Sequence, residues 1–257
     1  MDYKSLSKTK AKEFKSLSSK KERDRQALFL AEGSKCVLDS LSAFIPEAII
    51  ASAAWIESHP EVSDKFFEKI FISDSRGLEI ISSLRSLPEV IAVFRKPKLH
   101  PEVPKLKSGN LYVLLDEIQD PGNLGTIIRT CDWFGVYDIF ASKNTVDVYS
   151  PKVVQASMGS LSRVRIHYVD LKHLIEFNKE VPVIGTLLDG EDINKVDLKP
   201  CGMLLMGNEG NGISEPLKKL INIPLTIPPV NPLKHPDSLN VAIATAILLS
   251  KLKSLSP

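Results

Sequence analysis

Apolar residues in the first third of the chain fall into short runs rich in β-formers, ALFLAEG, EAIIAS, KIFIS and EVIAVF, separated by stretches such as SKCVLDSLSAF and RGLEIISSLRS. In the latter, apolar positions recur every three or four residues, which predicts helices between strands and hence a small α/β domain. A stronger alternation follows. LYVLLDEI, VYDIFAS, VRIHYV, VPVIGTLL, CGMLLM and NIPLTIP read as strands. Helices are expected at about residues 123–134, near 152–158, in LKHLIEFN and SEPLKKLI, and at about 239–253. Strands that are apolar almost throughout predict a parallel sheet covered on both faces. Ligands of such sheets sit in loops beyond the strand carboxyl ends.

Between the two patterns lies RKPKLHPEVPKLKSG, with three prolines, five Lys/Arg and no apolar period, which reads as an extended linker. The expected division is residues 1–97, a linker at 98–108, and a second domain at 109–257.

Charge changes this picture at one end only. Residues 1–25 carry nine Lys/Arg against four acids, whereas the remainder carries 24 basic and 27 acidic residues, within a chain of net charge +2. Such an arm is either a solvated helix or a surface that meets phosphates. At 43% apolar and 25% charged residues the chain is of ordinary globular composition. No apolar run approaches the roughly 20 residues that span a bilayer, and the lysine-rich start does not read as a signal peptide, so a cytoplasmic location is expected. Cys36, Cys131 and Cys201 stand far apart and read as small buried apolar residues rather than a disulfide framework. His59, His100, His167, His173 and His235 show no metal-ligand spacing, and no metal is expected.

Three loops hold the candidate chemistry. In the first, Asp120-Pro121-Gly122 is a turn signal, Asn123 reads as the cap of the following helix, and Arg129 lies one turn beyond Gly125. Arg129 is either a surface ion-pair partner or a ligand contact. The second, Gly207 to Ser214, has three glycines in six residues, which lets backbone groups approach a ligand closely. Its order, G-x-x-G-x-G, fits neither the phosphate-binding loop nor the dinucleotide fingerprint. Glu209 within it is a solvated turn residue or a partner for a hydroxyl or a cation. Ser214 reads as the next helix cap. The third loop ends in Ser238-Leu239-Asn240, where Asp237 or Ser238 reads as the cap and Asn240 as a buried amide in need of partners.

Taken together, NLGTIIR at 123–129, GNEGNGI at 207–213 and SLNVAIA at 238–244 resemble the three motifs of the SpoU class of SPOUT, TrmH-like methyltransferases. The resemblance is firm over about residues 108–257. It extends more loosely to LFLAEGSKCVLDSL and EVIAVFRKP, which look like a ribosomal-protein-L30e-like substrate-binding module. One departure is Lys234, in a longer Pro-rich loop, where family members usually carry a glycine four residues before the motif serine.

The resemblance implies an S-adenosylmethionine-dependent RNA 2′-O-ribose methyltransferase with a carboxyl-terminal trefoil knot, one of the exceptions to the no-knot rule. It also implies a homodimer and a structured RNA substrate, with ribosomal RNA preferred over tRNA. Arg129 is then the catalytic arginine, organised by Asn123, Glu209, Ser238 and Asn240. The cofactor is held around Leu187, Gly207, Gly212, Ile227 and Leu239. A guanidinium stays protonated in proteins, so a grip on phosphate suits Arg129 better than general-base duty. Two other classes compete: a non-catalytic RNA-binding factor of ribosome assembly, and a nicotinamide enzyme, which would need the missing fingerprint.

Overall fold

The computed structural model describes residues 3–97, 103–231 and 236–253. Lys234, His100, His235 and linker residues 98–102 lie outside the described residues. The chain forms two units, one of residues 1–98 with 147–162 and one of 99–146 with 163–257.

The first unit runs β1 (Lys4–Ser5), α1 (Lys8–Ser16), α2 (Lys20–Gln26), β2 (Leu28–Glu32), α3 (Ser34–Leu41), β3 (Pro46–Ala51), α4 (Ala53–Glu57), α5 (Pro60–Phe66), β4 (Ile70–Ile72), α6 (Ser75–Ile81) and β5 (Val90–Arg95). Its mixed sheet has the order β1-β4-β3-β5-β2, with β5 antiparallel to both neighbours. Alternation along the strands sorts two cores. Leu30, Ile50, Ile91 and Val93 meet Ala11, Phe14 and Leu17, and with them Leu78 and Ile81 of α6. Phe29 and Phe94 join Phe44 in an aromatic cluster that Tyr149 completes, 4.7 Å from Phe29.

Tyr149 belongs to an excursion from the later part of the chain that includes α8 (Pro151–Ala156), which packs on β2. Arg23, only 2% exposed, anchors it: the guanidinium donates to Asp147 Oδ2 at 2.7 and 3.0 Å and to the carbonyls of Leu17 and Ser18.

Much of the lysine-rich start from Tyr3 onward is tied into the fold. Lys10, Lys20 and Arg25 pair within their own helices, Lys4 pairs with Glu68, and Lys15 donates to the carbonyls of Ile81 and Ser82. Hydrogen bonds from Lys20 and Lys96 hold the Asp24 carboxyl down at about 2. Among the described residues Lys8, Lys12 and Lys21 have no ion pair or hydrogen bond through their side chains.

The second unit runs β6 (Leu111–Leu115), α7 (Pro121–Trp133), β7 (Asp138–Ala141), β8 (Arg165–Tyr168), α9 (Leu171–Phe177), β9 (Val183–Asp192), β10 (Gly202–Met206), α10 (Glu215–Lys218), β11 (Ile223–Thr226) and α11 (Val241–Lys253). The six strands, ordered β11-β9-β10-β6-β7-β8, are all parallel. One face buries Tyr112, Leu114, Phe140, Met203 and Leu205 against Leu171, Leu174 and Ile175 of α9. Val113, Leu115, Ile139 and Leu204 of the alternate set are buried too, so both faces are covered.

The second half of the expected linker is fastened to this unit rather than extended. Leu106 is buried, and its N–H donates to Oδ1 of the fully buried Asn178, whose Nδ2 donates to the Pro104 carbonyl.

Candidate active site

At the carboxyl edge of the second unit's sheet, the middle of β9, the loop after β10, the end of β11 with Ile227, residues 237–239 and the first turns of α11 line a cavity of about 540 Å³. That volume is in the range of small-molecule sites. Leu187, Gly207, Gly212, Ile227 and Leu239 all line it, as do Glu209 and Ser238. Its walls combine these aliphatic side chains with the backbone of the glycine loop, and Asp189, Asp237 and Lys218 supply charge. Such a mixture suits a nucleoside carrying both a sulfonium and an amino-acid tail, so the residues present fit S-adenosylmethionine.

Gly207 is obligatory for steric reasons: a Cβ there would lie 2.3 Å from backbone atoms of Gly212 and Ile213, across the tight bridge between Asn208 and Gly212. Gly212, at φ +67°, occupies the left-handed region that glycine enters freely.

The first and third loops meet the second at this rim. Asn123 Nδ2 donates to Glu209 Oε1 at 2.8 Å, and Asn240 Nδ2 donates to Asn123 Oδ1 at 2.8 Å. Asn240 Oδ1 in turn accepts the N–H groups of Ala242 and Ile243 at the start of α11. Helix N–H groups can only donate, so they fix which way the Asn240 amide faces, and that orientation passes through Asn123 to the carboxylate.

Three capping expectations change. Asp120, not Asn123, caps α7, accepting Asn123 N–H at 2.8 Å, which releases the Asn123 amide for Glu209. Asn240, exposed rather than buried, takes the capping role expected of Asp237 or Ser238. Ser214 stands at the N-cap of α10 without a side-chain cap bond. Glu209 is exposed yet partnered, so it is more than a solvated turn residue. Ser238 makes no hydrogen bond among the described residues.

Arg129 is exposed on α7 and has no ion pair or hydrogen bond through its side chain among the described residues, which removes the surface ion-pair reading. It does not line the cavity.

Sequence reasoning missed two groups. Asp116, 4% exposed at the end of β6, accepts Ser214 N–H at 2.8 Å. Asn208 accepts Gly210 and Asn211 N–H and donates to the Glu117 carbonyl. A carboxylate following the apolar run LYVLL was the available signal for the first.

Cys131 is fully buried, which pushes its thiol far up and leaves it unreactive. Among the described residues no cluster of three or more His, Cys, Asp or Glu could hold a metal ion, and no helix is long and apolar enough to cross a membrane.

A parallel sheet with a glycine-loop cavity at its carboxyl edge and a polar chain across the rim defines an α/β enzyme of the nucleoside-cofactor-binding class. The chain belongs to the SpoU rRNA Methylase family, which it matches over residues 110–250, while residues 8–92 match the MRM3-like substrate binding domain. It is 28% identical over 249 residues to the Bacillus subtilis 23S rRNA (guanosine(2553)-2'-O)-methyltransferase RlmP, covering 95% of this chain and 96% of that protein. A TrmH-family structure from Porphyromonas gingivalis superposes with a TM-score of 0.86 at 36% identity, covering 98% of this chain and 99% of that one. An AdoMet-bound rRNA methyltransferase from Sinorhizobium meliloti does so with a TM-score of 0.86 at 30% identity, covering 100% of this chain and 99% of that one.

Proposed function

We propose that this protein transfers a methyl group from S-adenosylmethionine to the 2′-hydroxyl of a ribose in ribosomal RNA. The observation that carries this reading is the meeting of all three motif loops at one cavity rim, through Glu209, Asn123 and Asn240. The preference for ribosomal RNA over tRNA draws on the relatives from Bacillus subtilis and Sinorhizobium meliloti, which match almost end to end.

The cofactor supplies an activated methyl on a sulfonium. The protein's own part is to hold the reactants in line and to stabilise charge developing on the hydroxyl oxygen. Leu187, Ile227 and Leu239, which line the cavity, would sandwich the adenine, and Gly207 and Gly212 would admit close backbone contact. Arg129, free of internal partners, is suited to grip the phosphate next to the target ribose through two parallel N–H groups. Asn123, Glu209, Ser238 and Asn240 organise the ribose end.

In the same reading the methyltransferase domain carries a carboxyl-terminal trefoil knot, in keeping with a strand order that sets β9 between β10 and β11. Residues 1–97, an L30e-like RNA-binding domain, precede a methyltransferase domain within 109–257. The enzyme acts as a cytoplasmic homodimer, to which the exposed Trp133 (85%) and Ile243 (52%), on the mutually packed α7 and α11, lend support.

Two measurements test this. Calorimetry of the purified chain with S-adenosylmethionine or S-adenosylhomocysteine is expected to show saturable binding that a chelator leaves unchanged; a folded protein that binds neither is not this enzyme. Replacing Lys8, Lys12 and Lys21 together by glutamine is expected to lower the slope of log affinity for RNA against log salt by about 2, since each phosphate contact releases a counterion. An unchanged slope would assign RNA contact to other cations.

A further inference from the structure

Both loops that the Asn123–Glu209 bond joins are stitched together at a second place, by Asn208. Its Oδ1 accepts the N–H groups of Gly210 and Asn211 at 2.9 and 3.0 Å, closing a local turn around Glu209. Its Nδ2 reaches across to the Glu117 carbonyl at 2.8 Å. Glu117 is one of three non-glycine residues at positive φ (57°) among the described residues, a conformation that costs a β-carbon-bearing residue about 1 kcal/mol or more and persists where surroundings enforce it. Here they do: Glu117 N–H donates to Ser142 Oγ at 2.8 Å, and its carboxylate accepts from Asn144 Nδ2 at 2.7 Å. Three residues later the same loop reaches Asp120, the cap of α7.

We infer that Asn208 is a positioning residue, a strut between the glycine loop and the loop entering α7, which couples cofactor binding to the alignment of Asn123 and Glu209. Its two halves act differently. The acceptor oxygen shapes the glycine loop that walls the cavity. The amide donor sets the spacing between that loop and α7, which carries Asn123 and Arg129. Asp116, bonded to Ser214 N–H, closes the far side of the same loop. Loss of the Asn208 donor therefore releases one side of the loop only.

The inference rests on the proposed methyl transfer, and two variants of the full chain separate it from that reading. Asn208→Asp keeps the acceptor and removes the donor, placing a carboxylate against the Glu117 carbonyl. The Kd for S-adenosylmethionine is expected to stay within about 3-fold, while the single-turnover rate at saturating cofactor falls about 10- to 100-fold. Asn208→Ala removes both halves, so the Kd is expected to rise at least about 10-fold as well. A general loosening of the fold would instead lower affinity, rate and melting temperature together in both variants, and that pattern overturns the inference. So does an Asn208→Asp enzyme that transfers at the parental rate. If the parental chain binds cofactor but methylates no RNA, the functional reading fails by itself. The strut is then decided by affinity: an Asn208→Asp chain near parental with a weakened Asn208→Ala chain supports it, and equal affinities overturn it.

Discussion

Arg129→Ala is expected to reduce single-turnover methyl transfer by at least about 10²-fold, the scale seen when one donor to a developing oxyanion is removed. Fold and cofactor affinity are expected to be retained. The structural basis is the absence of internal duties: Arg129 is exposed, has no ion pair or side-chain hydrogen bond among the described residues, and does not line the cavity. Its removal strands no buried partner. Arg129→Lys sharpens the result, because it keeps the charge but loses the planar pair of donors that matches a phosphate edge. Loss in both variants indicates bidentate gripping; full rescue by lysine indicates charge alone. Rapid-quench methyl incorporation at saturating cofactor, with affinity measured separately, distinguishes these outcomes. An alanine variant at the parental rate would return Arg129 to the ordinary surface.

Arg23→Ala is expected to destabilise the first unit by about 3–5 kcal/mol, the cost typical of removing one partner from a buried ion pair. It would leave the Asp147 carboxylate without its guanidinium and the Leu17 and Ser18 carbonyls without their donors. Differential scanning calorimetry should show the melting transition lowered by about 10 °C. Asp147→Asn is expected to destabilise by a similar mechanism, and the double variant by less than the sum of the two. Strict additivity would mean that the two side chains act independently.

Patterning carried the main architecture. Near-continuous apolar strands showed a parallel sheet, because burial on both faces leaves no polar alternation. The site residues were legible only through the resemblance of three loops to the SpoU motifs, because an exposed carboxylate or guanidinium taken alone reads as solvated surface. Other features were hidden for physical reasons. The segment containing Tyr149 and α8 looked like an ordinary crossover, since PKVVQA has the apolar pattern of any short helix and says nothing of which sheet will receive it. Arg23 sat in a run of charges whose composition is that of a solvated surface, although the fold buries that one guanidinium. The caps were misread because several acceptors lie within a few residues of each helix start, and local sequence does not decide which is engaged elsewhere. Asn208 escaped notice because the residue it braces, Glu117, is 91 positions away.

The excursion of residues 147–162 into the first unit has a consequence for biosynthesis. That unit's aromatic cluster lacks Tyr149, and its Arg23 lacks a counter-ion, until residues 147–162 have been made. On the ribosome the amino-terminal sheet must therefore wait, with Phe29 and Phe94 incompletely covered, while β6, α7 and β7 emerge. Its closing contacts are of long sequence separation, which slows folding and prolongs exposure of apolar surface. A gene cut at the linker would express an amino-terminal fragment that never receives this segment.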